Sequence, residues 1–247
     1  MPDFIIIHKG IFTEEQIKIN YKANEKKYSS NIRKKIEKYW QQEKKKNKYL
    51  YNGKVLSLIS SSLKESKLIL NLEKTTYKAF LGTNLAVQEN PDYFMGNMAN
   101  ILALCSVIET SDHKIVIGKR TDKVAESKKK WHVVGGNLEI LNSTINPYIS
   151  IKKELQEEIN VLPHQIKKII CLGLGKNLEI NKPELLFFSK LKISEKELKN
   201  RINRAKDKFE HQTFSFVSKS RIGQFIQSDN FAIIGKAALE RYREYAK

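Results

Sequence analysis

The 247-residue chain holds only two cysteines, five prolines and eleven glycines. Two cysteines cannot build a disulfide framework or a thiolate metal cluster. Cys105 and Cys171 each sit in an apolar, strand-like run, and read as buried free thiols of a cytoplasmic protein. So little glycine and proline excludes a collagen-like or linker-dominated chain. Long hydrophobic runs are missing too: Phe4–Ile7 and Ile101–Cys105 fall far short of the ~20 residues of a membrane span. The opening MPDFIIIHKG has no basic start, extended apolar stretch or small-residue cleavage site, so no signal peptide is expected. Negative charge is scarce, with 27 Asp and Glu against 45 Lys and Arg and a net charge of +18. Such a surface suits phosphate. Lysine, however, far outnumbers arginine and is spread along the whole chain. The planar arginine fork is the usual tool for base edges and bidentate phosphate contacts, so the diffuse lysine excess reads as a solvated surface and argues against nucleic acid as the main partner.

What is present is globular: 40% hydrophobic and 9% aromatic residues, in a length that fits one large domain or a domain with an extension. The first hundred residues read as a small α+β unit. Asp3–Ile7 is a short strand, and Thr13 with Gln16 forms a capping box for a short helix. A second helix is predicted over Asn31–Glu43, with Ile32, Ile36, Tyr39 and Trp40 on one face and lysines on the other. Tyr49–Tyr51 and Val55–Ser61 flank Asn52-Gly53, a hairpin signal, and Leu68–Leu72 alternates as a third strand. The polar stretch Gln88–Asn97, with Pro91, marks a boundary. Beyond it, strands are predicted at Ile101–Glu109, Ile115–Arg120 and Trp131–Val134, the last closed by Gly135-Gly136. A helix opens at the N-cap Asn146 with Pro147 in first position, carries Ile151, Leu155 and Ile159 inward, and stops at Asn160. Strands at Ile166–Leu174, Leu185–Ile193 and Thr213–Val217, a helix capped by Ser194 and Glu197, and a C-terminal helix from Phe231 complete a mixed α/β pattern. No internal repeat is present.

The segment richest in chemistry is Lys153-Glu154-Leu155-Gln156-Glu157-Glu158-Ile159. On a helix, Glu154, Glu157 and Glu158 fall within one arc of about 100°, while Ile151, Leu155 and Ile159 turn the adjacent face to the core. Like charges on one turn repel and weaken a helix unless a cation compensates. Carboxylates suit hard divalent ions, and Mg²⁺ prefers a few of them together with waters and phosphate oxygens. Paired glycines ahead of the helix let backbone come close to a metal or a phosphate.

The order strand, Gly135-Gly136, Asn137-Leu138-Glu139, loop, then Lys-Glu-Leu-x-Glu-Glu-x-Asn-Val resembles the Nudix box of hydrolases that cleave nucleoside diphosphates linked to another moiety. It departs from the usual box at Lys153 (commonly Arg), at Asn160 (commonly Gly), at Ile145 (commonly Glu) and in a longer loop after Glu139. The resemblance continues through Trp40, Tyr51-Asn52-Gly53, Thr76–Asn84 and Gly118-Lys119-Arg120, in the order found in the UDP-sugar diphosphatase branch. It spans roughly residues 35 to 247, and Tyr-x-x-Phe-x-Gly-Thr-Asn is its most specific part.

The resemblance implies an alpha/beta/alpha sandwich over residues 96–247, with residues 1–95 as an N-terminal α+β extension contributing to substrate binding. It implies hydrolysis of UDP-glucose or UDP-galactose to UMP and sugar 1-phosphate, with ADP-ribose or a dinucleoside polyphosphate as alternative substrates and an inactive nucleotide- or RNA-binding module as the alternative class. It also implies Mg²⁺ (Mn²⁺ as the substitute) on Glu154, Glu157, Glu158 and the Gly135 carbonyl. Glu210, just before the strand Phe214–Val217, is the candidate general base and Glu184 the runner-up; His132 and His211 lie near these segments. Substrate contacts are expected from Tyr77, Phe80, Gly82, Thr83, Asn84, Arg120 and Gly136.

Overall fold

The structure, a computed structural model, describes residues 3–88 and 98–247. The boundary expected within residues 88–97 therefore falls almost wholly outside the described residues. A large sheet is built from β1 (Phe4–Phe12), β5 (Ala103–Glu109), β6 (Lys114–Arg120), β7 (Trp131–His132), β8 (Val134–Asn137), β9 (Ile166–Asn177), β10 (Lys182–Leu191) and β11 (His211–Ser218). Its order is β1-β9-β10-β5-β6-β11, with β7 paired to β6 and β8 to β5. The β10–β5 pair is parallel and its neighbours are antiparallel, so the sheet is mixed. A second sheet holds β2 (Ile17–Glu25), β4 (Lys67–Thr76) and β3 (Lys54–Lys64), in that order.

Helices cover both faces of the large sheet. Strand alternation sends Cys105, Val107, Leu186 and Phe188 to one side, where they pack on Ile234, Ala238 and Tyr242 of the C-terminal helix α6 (Ile233–Tyr245). Leu104, Leu185 and Phe187 turn to the other side, against Tyr148 and Ile151 of α3 (Pro147–Ile159) and Leu68, Leu70 and Leu72 of the small sheet. The expected sandwich with a mixed sheet is present. Its N-terminal region is joined to it twice, through β1 in the large sheet and through this shared core.

Several elements differ from the sequence reading. The Thr13–Gln16 capping box forms, but it opens a single 3₁₀ turn, and β2 follows where no strand was expected. The predicted helix is α1 (Ser30–Lys46), with Ile36 and Trp40 buried. The Asn52-Gly53 hairpin is absent. The Asn52 side chain accepts the Lys78 N–H at 2.9 Å and the Gly53 carbonyl accepts the Tyr77 N–H at 3.0 Å, tying this turn to α2 (Tyr77–Phe80). The hairpin lies instead between β3 and β4 at Glu65-Ser66, both left-handed at φ 49° and 59°. Gly135-Gly136 does not close a strand; it lies inside β8, against Cys105 and Leu104 of β5. Two short helices, α4 (Glu195–Ile202) and α5 (Ile222–Gln227), precede α6; the first carries the expected Ser194–Glu197 box. Cys105 and Cys171 are free and buried, as read.

Candidate active site

Helix α3 is fixed at both ends by local chemistry. The Asn146 side chain accepts the N–H groups of Tyr148 and Ile149, Pro147 starts the helix, and Asn160 leaves it at φ 56°, ψ 41°. Ile151, Leu155 and Ile159 are fully buried. That orientation turns Glu154 and Glu157 toward a cleft of about 520 Å³, a size ordinary for a ligand site. Gly135, Gly136, Arg120, Glu210, Lys182 and Glu184 also line it.

The two glycines of β8 are required by contact. A Cβ at Gly135 would stand 2.3 Å from the Leu104 carbonyl oxygen, and one at Gly136 2.5 Å from the Glu154 carboxyl carbon. At Gly135 only bare backbone lets β8 lie on β5, and at Gly136 it leaves room for the Glu154 carboxyl group. The Gly135 N–H donates to Glu158 Oε1 at 3.0 Å. Glu158 is 1% exposed, and its other oxygen meets His211 Nε2, which reaches it from β11. Glu157 is held by Lys206 at 2.6 Å and by Lys153 at 3.0 Å. Lys153 also stands 3.3 Å from Glu139 and 3.8 Å from Glu154.

These surroundings separate the carboxyls. Burial, with the charge of Glu158 adding to it, pushes the Glu154 carboxyl well above the usual range. For Glu157, burial is outweighed by hydrogen bonds from Lys206 and Lys153, and its carboxyl lies below that range. Glu210, at the end of a 3₁₀ turn before β11, is pushed up to about 7 by burial and by Glu158, against the pull of Arg120. Arg120 Nη2 is 3.5 Å from Glu210, and its Nε donates to the Glu126 carbonyl. Glu184 is also raised to about 7 by burial, with Lys182 opposing. His132 is buried, and its imidazole is pushed well below its ordinary value by burial and then by Arg120.

Among the described residues, no three or more His, Cys, Asp or Glu side chains are gathered into a ready metal site. The donor set fits a hard cation by its chemistry. The charge of Glu158 raises the proton affinity of both Glu154 and Glu210, and Glu210 adds to it at Glu154, which is the condition a divalent cation relieves.

The segment 76–84 needs correcting as a substrate reader. Tyr77 alone of its named residues lines the cleft, with its hydroxyl 3.3 Å from Glu126. Phe80 is fully buried, and Gly82 packs where a Cβ would stand 2.6 Å from the backbone of Ile36. Thr83 and Asn84 are 0% exposed and spend their polar atoms on protein groups. Sequence reasoning missed Glu126, which holds Lys182 at 2.8 Å, and missed Lys206 and the rim aromatics Tyr49 and Phe209. These come together only through the fold; none carries a local motif.

No family profile matches the chain. A curated protein, Nudix hydrolase 9 from Arabidopsis thaliana, is 24% identical over 221 residues, covering 74% of this chain and 71% of that protein. Among solved structures, a MutT protein from Methanosarcina mazei is 17% identical with a TM-score of 0.37, covering 60% of this chain and 95% of that one. An Ap4A hydrolase from C. elegans is 12% identical with a TM-score of 0.38, covering 59% and 97%. A place for this chain in the Nudix hydrolase family is supported by the Arabidopsis relative.

Proposed function

We propose that the chain is a divalent-metal-dependent Nudix hydrolase that cleaves the diphosphate bond of a nucleoside-diphosphate-linked substrate, with a UDP-sugar as the first candidate. The observation that carries the reading is the joint placement of Glu154, Glu157 and Glu210 with Arg120, Lys153 and Lys182 around one cleft. The acidic groups would hold a hard cation, and the basic groups would attract phosphate charge.

Glu154, Glu157, Glu158 and the Gly135 carbonyl would hold the cation, Mg²⁺ or Mn²⁺. When bound, it neutralises phosphate charge and makes a water more acidic. The chain's own residues do the rest. Arg120 and Lys182 orient the diphosphate, Lys153 keeps Glu157 charged, and His211 fixes the rotamer of Glu158. Glu210, lining the cleft beside Arg120, takes the proton of the attacking water. The new P–O bond forms to water and the bridging P–O bond breaks. UDP-glucose and water thus give UMP and glucose 1-phosphate. Glu184, behind Lys182, is the second candidate for the base.

A second substrate reading has its own support. Of the motif Tyr77–Asn84, the part of the sequence most like the UDP-sugar branch, only Tyr77 lines the cleft, while Phe80, Gly82, Thr83 and Asn84 lie inside the fold. That favours another nucleoside diphosphate derivative, such as ADP-ribose or a dinucleoside polyphosphate. A panel of UDP-glucose, UDP-galactose, ADP-ribose and a dinucleoside tetraphosphate, run with Mg²⁺ and followed for UMP, AMP and phosphate, separates the two. Release of no nucleotide from any of them, with intact binding, would show a module that binds without turnover.

A further inference from the structure

We infer that the nucleobase of the substrate is held by an aromatic rim at the mouth of the cleft, built from Tyr49, Tyr51 and Phe209, and that it is held by stacking and not by reading its edge. This rests on the hydrolase reading of the cleft and adds to it the part of the substrate that recognises the chain. Tyr49 and Phe209 come from opposite ends of the sequence, yet their rings stack with centroids 5.8 Å apart and an interplanar angle of 22°. Both line the cleft, as does Tyr51. All three remain open to solvent, at 49%, 39% and 79% exposure. Three exposed aromatic rings thus line one cleft, and exposed apolar clusters mark binding sites.

The rim is tied to the catalytic floor. Phe209 immediately precedes Glu210, and its carbonyl accepts the Thr121 hydroxyl at 3.0 Å. On the other side, the Tyr49 N–H donates to the Asn47 side chain at 3.0 Å, and the Asn47 amide donates to the Lys123 carbonyl. The platform is thus pinned from both flanks to the loop that also carries Glu126. Its charge matches an anionic ligand: Lys48 and Lys123 lie 5.5 Å and 5.4 Å from the Tyr49 ring centroid, and Lys206 stands at the same mouth. A base laid on the stack would place its phosphates inward, toward Arg120, Lys153 and Lys182.

The chemistry of the rim also sets its selectivity. Discriminating uracil from adenine takes buried donors and acceptors aimed at the base edge, because a misfit then leaves them unpaired. The buried Thr83 and Asn84 that could have done so are spent on backbone groups. Stacking on an open aromatic face tolerates every base, since every base has a π-face.

The test is calorimetric titration of the full chain with UDP, ADP and inorganic pyrophosphate, read as binding without turnover. The wild type should bind UDP and ADP within about tenfold of each other, and both more tightly than pyrophosphate. Tyr49→Ala and Phe209→Ala should each weaken both nucleotides by about tenfold and leave pyrophosphate within about twofold, while Tyr49→Phe keeps wild-type affinity. The inference is overturned if the alanine variants leave nucleotide binding unchanged or weaken pyrophosphate equally. It is also overturned if the wild type binds none of the three, or prefers one base by far more than tenfold. The hydrolase reading fails separately: UDP-glucose, ADP-ribose and a dinucleoside tetraphosphate that bind through the rim but are never cleaved with Mg²⁺ would sink that reading alone.

Discussion

The Asn84 side chain accepts the Ala99 and Asn100 N–H groups at 2.9 Å and 3.3 Å and donates to the Ile180 carbonyl at 2.9 Å and the Asn181 carbonyl at 3.2 Å. It therefore fastens the turn after β4 to the segments entering β5 and β10. Truncation would strand several buried groups at ~1–3 kcal/mol each, so Asn84→Ala should lower stability by about 3 kcal/mol or more. Urea unfolding measures that loss. The ratio of UDP-glucose to ADP-glucose turnover should not move, and a changed ratio would return Asn84 to the site. Gly136 predicts the opposite pattern. A Cβ there meets the Glu154 carboxyl group, the movable end of a side chain, at 2.5 to 2.6 Å. Gly136→Ala should displace Glu154 and cut turnover by at least tenfold, with a stability change below about 1 kcal/mol. Near-normal turnover at matched stability would remove Glu154 from the machinery.

At the scale of elements, the far end of β5 carries a second charged network, remote in sequence from the acidic helix. Glu109 is 3% exposed and faces Lys190 at 2.6 Å, His113 at 2.7 Å, Tyr242 at 2.8 Å and Lys219 at 3.3 Å. One carboxylate thus joins β5, β10, α6 and the 113 and 219 turns. Burial alone would raise its pKa, but hydrogen bonds from Lys190, Tyr242 and His113 outweigh it and bring the carboxyl down to about 2. A depressed acid stabilises the fold above its unfolded value near 4.5, and that contribution fades as pH falls toward 2. Glu109→Gln should cost about 2 kcal/mol at pH 7, and the gap to wild type should narrow as the pH drops from 4.5 toward 2. A gap constant over that range would rule out the ion pairs as its source.

Local chemistry made some elements legible in the sequence and others not. Asn146, Pro147 and Asn160 bound α3 because caps and left-handed stops act over three or four residues. The glutamate spacing was readable for the same reason, since a helix fixes which positions share a face. The Asn52-Gly53 signal misled because a neighbouring element outbid the hairpin: α2 takes the Asn52 side chain and the Gly53 carbonyl. Glu65-Ser66 carries no turn signature, and β4 imposes the turn there through pairing along β3. Tyr49 with Phe209 and Lys182 with Glu126 are contacts between distant segments, invisible to any window along the chain.

The whole molecule raises the question of whether the N-terminal region is a unit of its own. Its strand β1 pairs with β9 from Phe4 opposite Asn177 to Phe12 opposite Cys171, so removing it would bare a strand edge in the large sheet. Leu68, Leu70 and Leu72 are fully buried against Leu102, Leu104, Leu174 and Leu185, which all follow residue 96. Large, apolar shared cores unfold as one. The two tryptophans report on opposite halves. Trp40 sits 6% exposed on α1 among Ile36, Phe80 and Ile101, while Trp131 packs on Phe225 beside α6. Single-tryptophan versions, made by Trp40→Phe and Trp131→Phe, should each follow one fluorescence transition in urea. After correction for the stability cost of each replacement, measured by circular dichroism on the same samples, the fluorescence and dichroism midpoints should coincide in both. A Trp40 transition preceding the loss of secondary structure would mean that the N-terminal region melts on its own, and Tyr49, just beyond α1, would then lose its fixed place beside Phe209 before the large sheet unfolds.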